Sequence, residues 1–331
     1  MSLAKPPQSK ASRGVFSSIF RFIAIIVTVA LLAGLVWAFT VANQVEGAET
    51  VNPTVAPPGR FLALPGLVPI HLREDGGAGQ PAVLFIHDFD IAGGRQWLAV
   101  VDELNGYRSI MPDMVGFGYS PRFEDPGRLH TVIGKAETLE ALLDELEIGE
   151  ATVVGAGYGG TVAAQLASSR PDLVGKLVLI GAEIFGPEPP WHATVNGWPI
   201  VGDAYNFTYF GASPTAARRY QVGCSTDGWC PDEEAMAERD VTAHVIGTAE
   251  SLNAMAATPS ASTLPDALTS ITAPTLILWG EMDALTPISQ GEQIRAEITG
   301  AEFLLVPGTG HRPHLEDPVA TAGFIGAFLS P

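Results

Sequence analysis

The segment ATVVGAGYGGTVAAQLA, residues 151–167, decides the fold. It begins with a short apolar run, TVVGA (152–156), which is typical of a buried strand because valine and threonine favour that conformation. A glycine-rich turn then leads into TVAAQLASS (161–169), where alanine and leucine favour a helix. A strand, a tight turn and a helix in this order predict one unit of a parallel α/β structure.

The same alternation of strands and helices continues on both sides of this segment. Further strands are predicted at 82–87, 109–113, 176–182, 274–280 and 303–308, and further helices at 135–147 and 288–298. Together they predict an α/β fold, a mostly parallel sheet covered by helices, built from residues 60–185 and 266–331. Residues 186–265 contain no convincing strand and are rich in proline, alanine and aromatic residues, so a helical cap insertion is predicted there.

The amino-terminal part has a different character. Residues 22–41 carry no charge, and as a helix they have the length needed to cross a hydrocarbon core of about 30 Å. A retained transmembrane helix is predicted, with a cleaved signal peptide as the alternative. Basic residues in the tail 1–21 predict that this tail stays cytoplasmic and that the domain lies on the extracytoplasmic side. Residues 42–59 are predicted to be an extended linker.

Charge and cysteine content limit the partners and cofactors. The formal net charge of −18 argues against a nucleic-acid partner, because phosphate contacts need a basic surface. The only cysteines, Cys224 and Cys230, flank a short loop, and both a disulfide and two unpaired thiols fit that spacing. Two cysteines without a neighbouring histidine do not complete a tetrahedral metal site, so no metal and no cofactor are expected.

Motifs at the ends of the predicted strands follow a known order. An H-G segment after a third strand is similar to FIHDFDIAGGRQW (85–97), and a D-x-x-G-x-G-x-S turn is similar to PDMVGFGYS (112–120). A nucleophile elbow is similar to GAGYGG (155–160). The acid and histidine loops are similar to WGEMDALTP (279–287) and GTGHRPHLEDP (308–318). On these motifs, residues 60–331 resemble the α/β-hydrolase family, in its epoxide hydrolase, haloalkane dehalogenase and esterase branch. Each motif is weak alone, but their shared order makes the resemblance specific.

The resemblance implies that Asp283 is the catalytic acid and His311 the general base. The geometry fits this independently, because an aspartate after one strand and a histidine after the next meet above the same sheet edge. Asp283 also suits a simple helix cap, and Glu183 is a rival acid just past another strand. His314 is the rival histidine; in the family pattern the second histidine supports the loop.

The family's nucleophile is missing. Where the elbow reads G-x-S-x-G, this chain has Gly157, which adopts the elbow's positive φ without strain. The resemblance implies an oxyanion hole made by the backbone N–H groups of Phe89 and Tyr158, which the loss of a serine side chain does not remove. Asp88 is a second departure, because the family has glycine after His87, and its carboxylate brings negative charge towards that hole.

These features predict a membrane-anchored hydrolase of small esters or related electrophiles, weak or dependent on a water molecule that His311 activates. The alternative is a catalytically silent protein that binds a ligand or partner in the same pocket. A serine enzyme that carries a substitution at position 157 is a third reading. Aromatic residues of the insertion, Trp191 among them, indicate a pocket for a small apolar ligand, although packing of the cap onto the sheet explains them equally well.

Overall fold

The structure is a computed structural model. It describes residues 11–52, 57–122, 127–185, 200–216, 218, 231–257 and 264–330. Trp191, Cys224 and Cys230 lie outside the described residues, so the pocket role of the tryptophan and the disulfide stay predictions.

The centre of the fold is an eight-stranded sheet with the strand order β1-β2-β4-β3-β5-β6-β7-β8. The strands are β1 (Arg60–Leu62), β2 (Ile70–Asp75), β3 (Ala82–Ile86), β4 (Arg108–Pro112), β5 (Ala151–Ala156), β6 (Val174–Ile180), β7 (Thr275–Gly280) and β8 (Glu302–Val306). The pairs β1–β2 and β2–β4 are antiparallel, and every other neighbouring pair is parallel. The prediction of a mostly parallel α/β sheet is therefore confirmed.

The antiparallel strands β1 and β2 are absent from the sequence prediction. In β2 the apolar residues Ile70 and Leu72 are buried, but the polar residues between and after them, His71 and Arg73, are buried as well. His71 is buried because its Nδ1 lies 2.7 Å from a carboxylate oxygen of Asp113. Long-range pairing, rather than an apolar pattern, makes this segment a strand.

Helices cover both faces of the sheet. The α-helices of the described residues are α1 (Ala11–Ala48), α2 (Leu98–Val101), α3 (Val132–Glu145), α4 (Tyr158–Ser169), α5 (Val201–Tyr209), α6 (Glu233–Ala243), α7 (Thr248–Ala257), α8 (Leu264–Ala267), α9 (Ile288–Glu297), α10 (Pro313–Glu316) and α11 (Pro318–Leu329). Two apolar cores result, and successive residues of β5 enter opposite ones: Val153 belongs to the same core as Leu139 and Leu166, and Val154 to the same core as Trp97 and Ile325. This is the alternation expected of a sheet buried on both sides.

Helix α1 is longer than predicted. Its segment Ser18–Val45 is long and apolar enough to cross a membrane, and a signal sequence near the amino terminus passes the same test. The helix continues to Ala48, so the first residues of the predicted extended linker 42–59 are helical instead. This end of α1 packs against α5, and that contact stabilises helical structure which the local sequence alone does not predict. In the insertion, the described residues form α5, α6 and α7.

Candidate active site

Gly157 forms the turn between β5 and α4. Its backbone has φ 51° and ψ −119°, a conformation that glycine adopts freely and that costs other residues about 1–3 kcal/mol. The N–H of Gly157 donates to the carbonyl of Ile180 at 2.9 Å, which ties the turn to β6. The strand, tight turn and helix of a nucleophile elbow are therefore present, without a side chain at its tip.

The carboxylate of Asp88 occupies the space where that side chain would begin. A Cβ placed on Gly157 would overlap Oδ1 of Asp88. The same oxygen accepts the N–H of Tyr158 at 2.9 Å, and the N–H of Phe89 also lies within hydrogen-bond reach of this carboxylate. The two predicted oxyanion-hole donors thus surround a carboxylate of the chain itself, whereas the sequence predicts only a charge near them.

His311 and Asp283 lie at the ends of neighbouring strands. His311 follows β8 and Asp283 follows β7, and Nδ1 of the imidazole is 3.0 Å from Oδ2 of Asp283. The other carboxylate oxygen, Oδ1, accepts the N–H groups of Leu285 and Thr286, each at 2.9 Å. Asp283 therefore holds the following turn and the imidazole at the same time, so the capping interpretation and the acid interpretation are compatible.

Thr286 contributes to this pair, and the sequence interpretation does not include it. Its hydroxyl donates to Oδ2 of Asp283 at 2.6 Å and lies 3.0 Å from Nδ1 of His311. A threonine three residues after the acid, in WGEMDALTP, is the sequence signal that identifies it. The hydroxyl fixes the carboxylate that in turn orients the imidazole.

The charges of the site keep a proton on His311. Burial alone would lower the pKa of His311, but Asp283, Glu183 and Asp88 together raise it to about 10. Burial would raise the pKa of Asp283, but the hydrogen bond and charge of His311 and the hydrogen bonds from Thr286 together outweigh burial, so that pKa lies below its usual range. For Asp88, burial likewise would raise the pKa, and the charges of His311 and Arg312 together with the backbone hydrogen bonds of Tyr158 and Phe89 outweigh burial and lower it. At neutral pH an imidazolium faces carboxylates.

The alternative histidine, His314, and the alternative acid, Glu183, lie in different environments. His314 is fully buried, stacks on Trp97 with ring centroids 4.6 Å apart, and lies 3.3 Å from the side-chain oxygen of Gln96. Burial lowers the pKa of His314 to about 3, so this ring is neutral. Glu183 approaches the outer nitrogen of His311, with Oε1 3.5 Å from Nε2. Glu183 therefore faces the reactive side of the imidazole, and Asp283 faces its inner side.

Three of these side chains form a group with ligand atoms suited to a cation. One ligand atom each from Asp88, Glu183 and His311 lies within 4.8 Å of the other two. A histidine with two carboxylates is a donor set that divalent metals accept. The hydrogen bond from Tyr158 and the proton on His311 already satisfy much of this set, so the geometry also fits catalysis without a metal.

The loop PDMVGFGYS supports the candidate catalytic residues through hydrogen bonds of Asp113 and Ser120. The carboxylate of Asp113 accepts the N–H groups of Gly94 at 2.7 Å and Tyr119 at 2.8 Å. The hydroxyl of Ser120 donates to the carbonyl of Asp113 at 2.6 Å. This motif therefore fixes the loop after β4 against the loop that carries Asp88.

A cavity of about 260 Å³ lies beside Phe89, between the sheet edge and the described cap residues. Most of its walls are apolar or aromatic: Phe89, Ile91, Phe117, Tyr209, Phe210 and Leu252. Arg239 and Arg312 bring positive charge to the same walls. This volume fits a small molecule, and aromatic residues of the cap do line it.

The sequence of the chain is similar to those of known hydrolases. The chain is 29% identical over 270 residues to a 2-hydroxy-6-oxononadienedioate/2-hydroxy-6-oxononatrienedioate hydrolase of Cupriavidus pinatubonensis, covering 77% of this chain and 89% of that protein. It is 28% identical over 266 residues to the 2-hydroxymuconate semialdehyde hydrolase of a Pseudomonas species, covering 78% of this chain and 89% of that protein.

Solved structures show the same fold. A membrane phospholipase A described as a bacterial virulence factor has a TM-score of 0.66 at 23% identity, covering 93% of this chain and 97% of that one. A hydrolase from Pseudomonas aeruginosa has a TM-score of 0.65 at 24% identity, covering 82% of this chain and 98% of that one. The family profile described as alpha/beta hydrolase fold matches residues 81–318. The chain therefore belongs to the α/β-hydrolase family.

Proposed function

We propose that this protein hydrolyses small electrophilic substrates, esters or related compounds, with a water molecule that His311 activates. One observation carries the proposal: Asp283 and His311 form a buried, hydrogen-bonded pair beside the elbow, although the elbow has no serine. Such a pair orients the imidazole so that its outer nitrogen faces the substrate as a base. The naming of its relatives as hydrolases supports the same reaction type.

The charge on His311 sets a condition on this reaction. Because neighbouring carboxylates raise its pKa to about 10, His311 must lose a proton before it accepts one from water. Direct attack by water on the substrate is therefore expected to accelerate as the pH rises towards that value.

The substrate is a small, largely apolar molecule. The cavity beside Phe89 has aromatic walls on the sheet side, such as Phe117, and on the cap side, such as Phe210. The amino-terminal helix anchors the protein in a membrane, with the basic tail in the cytoplasm and the domain on the other side. In the alternative function, a silent protein binds an apolar ligand in this cavity, and the occupied N–H of Tyr158 favours that reading.

Hydrolysis of p-nitrophenyl acetate, p-nitrophenyl butyrate and styrene oxide by the full chain in detergent micelles tests the proposal. His311→Ala is expected to lower turnover on the order of 10²–10⁴-fold, as expected for loss of a general base. His244→Ala, a histidine at the end of α6, is the matched control and should keep wild-type turnover. A wild-type protein that is folded but turns over none of these compounds, or a His311→Ala variant with unchanged turnover, would contradict the proposal.

A further inference from the structure

The two departures from the family pattern, at positions 88 and 157, fit each other in space. Gly157 lacks a Cβ, and the carboxylate of Asp88 fills that volume so closely that a Cβ would overlap it. The elbow tip is therefore not empty: it holds a carboxylate that comes from the loop after β3. A carboxylate is itself a nucleophile that enzymes use for covalent catalysis.

The backbone around Asp88 holds the carboxylate in this place. The carbonyl of Asp88 lies 2.6 Å from Nδ1 of His87, whose Nε2 accepts the N–H of Met114 at 3.0 Å. The N–H of Asp88 donates to the side-chain oxygen of Gln96 at 3.1 Å. Both the carbonyl and the N–H of Asp88 are therefore held by neighbouring side chains, and its own side chain is directed at the elbow.

The surroundings of this carboxylate suit a covalent intermediate. Oδ1 accepts the N–H of Tyr158, which would stabilise the negative charge that develops on this oxygen when the carboxyl carbon is attacked. His311 lies in the same group of side chains, within 4.8 Å, and Asp283 orients it from the far side. Asp88, His311 and Asp283 therefore follow one another as nucleophile, base and acid.

We propose that Asp88 is the covalent nucleophile of this enzyme, and that its substrates are small apolar epoxides, which present an electrophilic saturated carbon. The inference rests on the proposed hydrolase function and names the group that attacks first. Carboxylic esters are poor substrates for such a nucleophile, because attack on their carbonyl would form an anhydride and expel an alkoxide, a much stronger base than the carboxylate.

The reaction has two steps that balance in atoms and charge. First, a carboxylate oxygen of Asp88 attacks a ring carbon, the ring C–O bond breaks, and the imidazolium of His311 protonates the released oxygen. The products are a hydroxyalkyl ester on Asp88 and a neutral His311. The ester carries no charge, so one of the carboxylates that hold the proton on His311 is removed just as that residue must become a base.

In the second step, His311 takes a proton from water, and the hydroxide attacks the carboxyl carbon of Asp88. The tetrahedral oxyanion is stabilised by the N–H of Tyr158. The intermediate collapses, the acyl C–O bond breaks, and His311 protonates the leaving alkoxide to give the diol. The carboxylic acid of Asp88 returns its proton to His311, which restores the starting charges.

The test is to locate the covalent bond and the oxygen of water in the full chain in detergent micelles, with styrene oxide as the probe. In His311→Gln, which has no base for the second step, the peptide containing Asp88 is expected to gain the mass of one styrene oxide. In ¹⁸O-labelled water and excess wild-type enzyme, a single turnover should place ¹⁸O in Asp88 and leave it out of the diol. Asp88→Asn should lower turnover on the order of 10³-fold or more, and the exposed Asp102→Asn is the matched control.

Each of the other results would overturn the inference. Turnover with ¹⁸O only in the diol and no adduct on Asp88 would assign the attack to water, and the proposed function would stand alone. Turnover that EDTA abolishes and Zn²⁺ restores would assign Asp88, Glu183 and His311 to a metal centre. A folded protein that neither turns over styrene oxide nor forms the adduct, but hydrolyses the p-nitrophenyl esters, would refute the nucleophile alone; inactivity on every probe would refute both proposals.

Discussion

At the residue scale, Gly157 and Asp88 are a matched pair. Serine at 157 would need the volume that Oδ1 of Asp88 fills, and glycine at 88 would leave a gap at the elbow and an unoccupied N–H on Tyr158. The elbow conformation at φ 51° adds a further cost for any residue with a Cβ. The residue at each of these two positions is therefore explained by the residue at the other.

A serine hydrolase site is expected to return only when both residues change. Gly157→Ser alone should remain unreactive towards a fluorophosphonate probe and should lower the melting temperature, because its side chain collides with Asp88. Asp88→Gly/Gly157→Ser removes the collision, frees the N–H of Tyr158 and places a serine in the elbow near His311. This double variant should label with the probe in gel-based detection.

Asp88→Gly alone is the control for the double variant, and it should not label. Labelling of Gly157→Ser at the rate of the double variant would show that Asp88 leaves the elbow easily, contrary to the fixed loop around it.

His311 gives a second prediction, on stability against pH. Its pKa rises from an ordinary value of 6.5 to about 10 in the folded chain, so the folded state binds this proton more tightly than the unfolded state. The resulting stabilisation is fully present below pH 6.5 and is lost as the pH rises through about 10. The difference in melting temperature between wild type and His311→Gln should therefore shrink from pH 6.5 to pH 10. A constant difference across this range would contradict the charge arrangement around Asp283, Glu183 and Asp88.

The sequence predicts part of this site well. Asp283 and His311 each follow a strand, and the order of parallel strands brings such ends together whatever the details of the loops. The carboxylate of Asp88 at the elbow is not predictable in this way. Its position depends on space that opens at Gly157, far along the chain, and on the side chain of Gln96 that fixes its loop. Steric fit between distant residues leaves no periodic signal in a sequence.

At the element scale, α3 carries a charged group into the core. Lys135 is fully buried, its Nζ donates to the carbonyl of Val115 at 2.5 Å, and it lies over the ring of Phe117. The amino terminus of α3 is capped, because the hydroxyl of Thr131 accepts the N–H of Gly134 at 2.9 Å. Lys135 thus supports the loop after β4, in the motif that supports the site, at the cost of burying an amine.

Lys135→Met is expected to reveal the cost of burying this amine as a change in how stability depends on pH. Burial lowers the pKa of Lys135 from 10.5 to about 7, so between these values the unfolded chain binds the proton that the folded chain has released. The wild type therefore gains stability as the pH rises from about 7 to 10.5, and the methionine variant lacks this gain. In thermal unfolding, the melting temperature of the variant relative to the wild type should fall across this range. Lys176 is half-buried and binds carbonyls near the carboxyl terminus, so it is not a suitable comparison. Lys135→Arg, which keeps its charge, therefore serves as the control.

At the scale of the whole molecule, the end of α1 and the helices of the insertion are joined. Glu49, just past α1, is buried, and its two carboxylate oxygens accept the N–H groups of Gly247 at 2.9 Å and Ala249 at 2.7 Å. These groups stand at the start of α7, so a residue of the amino-terminal segment caps a helix of the cap. Helix α7 also supplies Leu252 to the wall of the cavity. The carboxylate that follows α1 therefore also holds the start of a helix that lines the cavity.

Removing that carboxylate should loosen α7 before it affects the sheet. Glu49→Ala leaves the first N–H groups of α7 without their acceptor. Loss of a helix cap lowers the free energy of unfolding by about 0.5–2 kcal/mol. Hydrogen exchange followed by mass spectrometry, on the full chain in detergent micelles, should show faster exchange in residues 247–257 and unchanged exchange in β5 and β6. Glu49→Gln keeps one acceptor oxygen and should give a smaller effect, and the exposed Glu103→Ala should give none. Equal exchange in all four proteins would mean that α7 is held by its packing against α5 and not by Glu49. Faster exchange confined to α7 would show that this helix depends on the segment that precedes the α/β-hydrolase core.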